Sequence, residues 1–169
     1  MKKAAAAACV GFACAGTPKL HIEAPRKDCA PEVVEWMEAN GFFLGGKIGN
    51  IEELTMVLDA REPVPAPPEG PLVIYAYNDF RGSARREATI FPRGSRLLGQ
   101  AFRGTDRLYG WLTELETPDG KRYPICGNLV NPSVREEMGT PFQPGSTPER
   151  PLVRPRVIVM TAKRLGVFR

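Results

Sequence analysis

A chain of 169 residues, 43% hydrophobic and 25% charged, is long enough to bury one real core, so a single globular domain is expected. Its 17 Gly and 17 Pro exclude long helices, since each Pro removes a backbone donor and each Gly leaves the backbone unrestrained. The formal net charge is +4, of which Lys2 and Lys3 supply two, and the small remainder excludes the electrostatic footprint of a nucleic-acid binder.

The chain opens with Lys2 and Lys3, continues through an apolar stretch from Ala4 to Ala13, and passes into small residues and Pro18. That order is the pattern of a secretory signal, and the stretch is roughly half the length a helix needs to cross a bilayer, so its removal is expected. Two processing routes compete. Ala13-Cys14-Ala15 suits an ordinary signal peptidase, whereas Gly11-Phe12-Ala13-Cys14 resembles a degenerate bacterial lipobox, which makes Cys14 the lipidated N-terminus. An uncleaved alanine-rich tail is the third alternative. The expected division is residues 1–14 as signal peptide with lipobox, 15–30 as tether and 31–169 as one β-rich domain.

Once Cys9 is removed and Cys14 is removed or acylated, Cys29 and Cys126 remain, the even number a disulfide needs. They can pair in an oxidising compartment, and two unrelated buried thiols are the alternative. One His and two Cys cannot close a zinc shell without carboxylate help, so neither metal nor cofactor is expected.

The polar tether, with Pro18 and Pro25, is expected to be mobile. Pro31 to Asn40 reads as the one helix: Pro31 suits the first turn, Glu32 and Glu35 favour the positive end of the dipole, and Gly41 can stop it. Val33, Val34, Trp36 and Met37 gather on one side, which makes Trp36 a core anchor. Ile48 to Ala60 fits either a helix begun at Asn50 or a strand through Thr55-Met56-Val57-Leu58, and the strand is preferred. Five prolines between Glu62 and Pro71 give a stiff extended connection inside one domain.

Beyond Pro71, strands are predicted over 72–80, 87–91 and 96–102, punctuated by Gly82, Pro92, Gly94 and Gly104. In the clearest unit, Leu108, Gly110, Leu112, Glu114 and Glu116 alternate with Tyr109, Trp111, Thr113, Leu115 and Thr117. Pro118-Asp119-Gly120-Lys121 then turns the chain, and Arg122 to Leu129 returns with Cys126 inside it. Pro132 to Pro155 is expected as a surface loop, and Arg156 to Ala162, with Val167-Phe168, as closing strands. The fold class is therefore mainly β, a small barrel or sandwich of about six or seven short strands with one N-terminal helix, because closure removes unpaired edges.

The segment Phe91-Pro92-Arg93-Gly94-Ser95-Arg96-Leu97-Leu98-Gly99, continued through Arg107-Leu108-Tyr109-Gly110-Trp111 to Thr117-Pro118-Asp119-Gly120, resembles a hairpin segment of the β-barrel channel protein of conjugation and type IV secretion systems. Over the whole chain, the short signal, the early Cys, Leu97-Leu98-Gly99-Gln100-Ala101, Pro124-Ile125-Cys126-Gly127 and the end Val167-Phe168-Arg169 resemble small secreted lipoproteins of myxobacteria, a group of generally unknown function. That resemblance implies an envelope location and a Cys29 to Cys126 bridge, and no activity.

Catalytic groupings are sparse. The one histidine, His21, lies in the expected tether, where nothing holds it beside a nucleophile. Glu114 and Glu116 share a strand face as glycosidase carboxylates can, but read more simply as a solvated strand edge. A kinase's glycine-rich loop, H-R-D and D-F-G are missing, and Gly45-Gly46-Lys47 lacks the Walker spacing. The chain is not expected to be an enzyme.

Arginine density is the remaining feature: Arg81, Arg85, Arg86, Arg93, Arg96, Arg103 and Arg107 lie close in sequence, among Phe80, Phe91, Phe102 and Tyr109. Guanidinium forks beside aromatics suit phosphate, carboxylate or sugar-acid surfaces, which marks Arg81, Arg85, Arg86, Arg93 and Arg96 as candidate anion-binding residues. Strand faces solvated and paired with Asp79, Glu87 and Asp106 are the alternative. The expected protein is an exported, lipid-anchored component of the bacterial cell envelope, on the periplasmic side of a membrane or at the outer membrane, with a binding or structural role. Its expected partners are the membrane through the anchor, and anionic glycan, lipid headgroups or another envelope protein; nucleic acid is not among them. The competing expectation is an accessory β-domain subunit of a secretion or conjugation channel.

Overall fold

The computed structural model describes residues 25–42, 44, 53–57, 62–77, 79–81, 89–131, 133–134 and 137–166. In chain order its elements are β1 (Lys27–Asp28), α1 (Pro31–Ala39), β2 (Glu53–Val57), β3 (Val64–Pro65), β4 (Gly70–Ala76), β5 (Phe80–Arg81) and β6 (Thr89–Phe91). They continue with β7 (Arg96–Arg103), β8 (Arg107–Glu116), β9 (Arg122–Val130), β10 (Thr140–Pro141), β11 (Leu152–Val153), β12 (Arg156–Thr161) and β13 (Arg164–Leu165). Among the described residues the protein is mainly β with one helix, as composition and turn spacing predict. The expected signal, Cys14, most of the tether, Gly45 to Lys47, Arg85, Arg86 and Val167-Phe168 lie outside the described residues.

Six strands pair antiparallel in the order β8, β7, β4, β2, β12, β9, and β9 pairs in turn with β8, so the ladders form a circuit. β10 takes the part of β8 that β9 leaves free, with Thr140 opposite Leu108. Alternation fills the interior. On β4, Leu72, Ile74 and Ala76 are buried while Val73 and Tyr75 are exposed, as a strand with one wet face requires. Leu97, Ala101, Leu112, Leu129, Val157 and Val159 continue the same core. Gly110 faces it too: a Cβ there would come within 2.7 Å of the Leu129 side chain and 2.9 Å of Leu72, so the absent side chain is the room those two leucines use.

One irregularity reverses the reading of the clearest hairpin. Between β7 and β8 the register steps from Leu98 opposite Glu114 to Gly99 opposite Leu112, so Thr113 is an extra residue in β8. Leu108, Gly110 and Leu112 face inward before it; after it Leu115 does, and it is 1% exposed. Glu114 and Glu116 therefore do not share the face of Leu108 and Leu112, as strict alternation predicts, but turn out of the core. The β8 backbone presses so close here that a Cβ on Gly99 would overlap the Trp111 carbonyl and lie 2.8 Å from the Leu112 Cα. Gly99 is required by that approach.

The helix is entered through Pro31 at its first turn, with Glu32 there to favour the dipole. It ends at Asn40, whose side-chain amide donates to the Trp36 carbonyl at 2.7 Å, followed by Gly41 at φ 84°. Met37 is fully buried, and its sulfur accepts from the Cys126 amide at 3.1 Å. Trp36 stacks on Tyr123, ring centroids 5.4 Å apart, and anchors the helix to β9 as its place on the apolar side predicts. Beside this contact Cys29 and Cys126 stand at disulfide-bonding distance, Cα atoms 6.2 Å apart across 97 positions. In the loop-entropy model a link over such a span stabilises by roughly 4–5 kcal/mol.

Two boundaries differ from the sequence reading. Residues 15–30 were expected to form a tether, yet Lys27 and Asp28 pair with Leu165 and Arg164, and the Cys29 amide donates to the Lys163 carbonyl at 3.2 Å. The segment that carries Cys29 is thus tied to residues 163–165. The expected surface loop from Pro132 to Pro155 holds over 142–150, which are irregular and mostly exposed, but its flanks are tied down: β10 joins β8, β11 joins β3, and Pro151 and Val153 are buried. Its prolines disfavour long ladders but leave two-residue pairings intact.

Substituting Gly99 with Ala should lower stability by about 3 kcal/mol or more, a fall in Tm on the order of 10 °C. Gly120→Ala, at φ +82° with nothing within 4 Å of its Cβ, should cost only the left-handed backbone strain of about 1–2 kcal/mol. Thermal melts of the two variants check the order.

Candidate functional site

The register lays one row of residues across the circuit. Arg156 is opposite Val57, Val57 opposite Tyr75, Tyr75 opposite Arg96, Arg96 opposite Glu116, and Glu116 opposite Arg122. Residues from five distant stretches of sequence thus form an arginine-rich band with an exposed tyrosine inside it.

One half of the band is neutralised. The Arg96 guanidinium is hydrogen-bonded to Glu116 Oε1, and Arg122 lies 3.1 Å from Glu116 Oε2 and 3.3 Å from Glu114 Oε1. The Glu116 side chain is only 11% exposed. The Arg96 hydrogen bond, aided by the charges of Arg96 and Arg122 and opposed by burial, holds its carboxyl below the usual carboxylate range. The same bond to Glu116 raises Arg96. The expectation of a solvated edge is thus corrected for Glu116, which is nearly covered and held by Arg96 and Arg122, while Glu114 stays partly exposed beside Arg122; both lie on β8, which is paired on either side.

The other half is open. Tyr77, next outward after Val73 and Tyr75, is 44% exposed at the end of β4. Arg93 and Arg156 each place the guanidinium carbon 5.6 Å from its ring centroid. Arg93 is aimed by a clamped turn. The Gly94 amide donates to the Ala76 carbonyl at 2.9 Å, the Ala76 amide to the Ser95 carbonyl at 2.8 Å, and the Arg93 amide to Asp79 Oδ1 at 2.8 Å. Ser95, fully buried, donates its hydroxyl to the Pro92 carbonyl at 2.7 Å. Arg156 arrives from the start of β12. Among the described residues, no carboxylate lies within ion-pairing distance of either guanidinium.

Of the residues marked by arginine density, the structure brings Arg93 and Arg96 into this band. Arg81 stands in β5 near Thr89, and Arg85 and Arg86 lie outside the described residues. Arg103 instead donates to the Ala66 and Pro67 carbonyls at 2.9 and 3.1 Å, which fixes the proline-rich connection. Arg107 is buried, 2.7 Å from Glu137 and 3.1 Å from Asp106, and donates to the Met138 carbonyl at 2.9 Å. Burial works against the Arg107 charge, but the Asp106 and Glu137 bonds outweigh it and the guanidinium is raised. Two of the interleaved aromatics are also structural: Phe91 is in the core against Phe42, and Phe102 packs on Trp111 with centroids 4.6 Å apart. Proximity in sequence was a poor guide, because successive strand residues face opposite ways.

An open depression of about 330 Å³ lies near the hairpin turn, lined by Pro92, Thr117, Pro118, Asp119, Lys121 and Tyr123. Its charges satisfy each other. Asp119 accepts from the Thr117 hydroxyl and pairs with Lys121 at 2.9 Å, and these bonds pull its carboxyl down to about 2. Among the described residues no group of three or more His, Cys, Asp or Glu side chains is arranged to hold a metal. Comparisons with protein-family models and with curated proteins find no match.

Glu116, Glu137 and Asp119 are all lowered, so their stabilisation is present above the unfolded carboxylate range and is lost as pH falls through the folded values. Glu137 is held down by Arg107 first and then by Asn131. Glu137→Gln should cost about 1 kcal/mol at pH 7, a modest figure because the pair is partly solvent-screened. The Tm gap to the unsubstituted protein should shrink as pH falls below about 4. Melts from pH 7 to pH 2 measure it.

Proposed function

We propose that this chain is an exported, lipid-anchored envelope protein whose β-rich domain binds anionic envelope material and carries out no catalysis. The observation that supports this most is the meeting of Cys29 and Cys126, because a link between the helix start and β9 persists in an oxidising compartment and not in a reducing one. The charged, apolar and small-residue order of residues 1–14 accords with the same reading, with Cys14 as the acylated residue. Among the described residues no helix is long and apolar enough to cross a membrane; in this reading the acyl chains on Cys14 hold the protein to the membrane. The binding role is supported by Tyr77, Arg93 and Arg156, where charge and aromatic surface face solvent together.

Expression in a Gram-negative bacterium, followed by fractionation and mass spectrometry of the mature N-terminus, tests the proposal. Acylated Cys14 should be found in the membrane pellet, and Cys14→Ser should shift the protein to the soluble fraction. Thiol labelling of the denatured, unreduced protein should leave Cys29 and Cys126 unmodified until reductant is added. An intact Met1 terminus with both thiols reactive would overturn the assignment.

A further inference from the structure

We propose that Arg93, Arg156 and Tyr77 form a binding site for a phosphate monoester. The inference deepens the proposed binding role by naming its site and ligand chemistry, and it is independent of where the protein resides.

Most arginines of the band and its surroundings already have an anion or a carbonyl: Arg96 and Arg122 have Glu116, Arg103 has two carbonyls, Arg107 has Asp106 and Glu137. Arg93 and Arg156 have an aromatic ring. A guanidinium resting over a ring keeps its in-plane N–H groups free to donate and its charge unmatched, whereas one held by a carboxylate has its charge neutralised and up to two of its five donors committed. Each lies 5.6 Å from the same centroid, so the two charges cannot stand further apart than twice that distance. They come from a turn held to the end of β4 and from a strand paired with β2, so the sheet brings both to the Tyr77 ring. Asp79 accepts from the Arg93 backbone amide, and among the described residues it makes no ion pair with the guanidinium.

Charge and shape then select the ligand. One carboxylate offers two oxygens, enough for a single guanidinium fork, and leaves the second cation unmatched. A phosphate monoester carries close to two negative charges near neutral pH and three terminal oxygens, so it can lie between two forks and match both charges. Tyr77, Tyr75 and Val73, exposed in a line along β4, offer apolar surface to whatever the phosphate is attached to, a sugar or a glycerolipid.

Titration of the purified, isotope-labelled protein at pH 8 by NMR tests the site with three soluble probes: inorganic phosphate, glucose 1-phosphate and acetate. Both phosphates should perturb the amides of Tyr77, Arg93 and Arg156, and should bind at least tenfold more tightly than acetate. Arg93→Gln and Arg156→Gln should each weaken phosphate binding about tenfold, while Arg164→Gln, which removes an equal charge paired with Asp28, should leave it unchanged. Vesicles of phosphatidic acid in phosphatidylcholine, set against phosphatidylcholine alone, distinguish a lipid source from a soluble or glycan one; binding of either source supports the site. Perturbations confined elsewhere, acetate binding equal to phosphate, or equal loss in Arg164→Gln would overturn it. Because these readouts use purified protein, they stand or fall apart from the fractionation result.

Discussion

The extra residue at Thr113 sets which side chains β8 presents to the core and which to the outside. A strand turns successive residues to opposite faces, so a single insertion exchanges the faces of everything beyond it. Before the bulge Leu108 and Leu112 are inward; after it Leu115 takes the inward place opposite Leu97, and Glu114 and Glu116 move out. Without it the two carboxylates would follow Leu112 into the interior, where two unpaired charges would be prohibitively costly. The bulge in turn depends on Gly99, the residue on which the β8 backbone closes.

From that outward turn the rest of the band follows. Glu116 captures Arg96 and Arg122 from the neighbouring strands, and so joins β7, β8 and β9 by charge as well as by backbone bonds. With those two arginines neutralised, the open cationic character passes to Arg93 and Arg156 over Tyr77. The helix closes on β9 through Met37, through Trp36 on Tyr123 and through the Cys29 and Cys126 pair. The helix is therefore clamped to β9, while Arg93 and Arg156 over Tyr77 stay open to an anion.

Much of the fold was legible in the sequence. Pro31 and Gly41 mark the two ends of the helix, Asp119-Gly120 marks the hairpin turn, and the alternation of Leu72, Ile74 and Ala76 with Val73 and Tyr75 marks β4. The bulge was not, because Leu112-Thr113-Glu114-Leu115 is compatible with unbroken alternation and only the closeness of Gly99 to β8 requires the insertion. The candidate site was half legible. Arg93 and Arg96 fall in the arginine-dense segment, but Arg122 and Arg156 join them through strand register, which no local pattern encodes. Tyr77 carried a signal in its period-two spacing from Val73 and Tyr75, which placed it on the wet face of β4 without naming its neighbours. Arg103 and Arg107 misled for a complementary reason: apart from Asp106 beside Arg107, their partners Ala66, Pro67, Glu137 and Met138 are remote in sequence.

The most direct measurement of this account is the pattern of cross-strand nuclear Overhauser contacts between β7 and β8 in solution. Contacts from Leu97 to Leu115 and from Leu98 to Glu114, beside Gly99 to Leu112, are the result the bulge predicts. An unbroken register, with Leu97 facing Glu114 and Leu98 facing Thr113, would contradict it and remove the reason for the outward carboxylates.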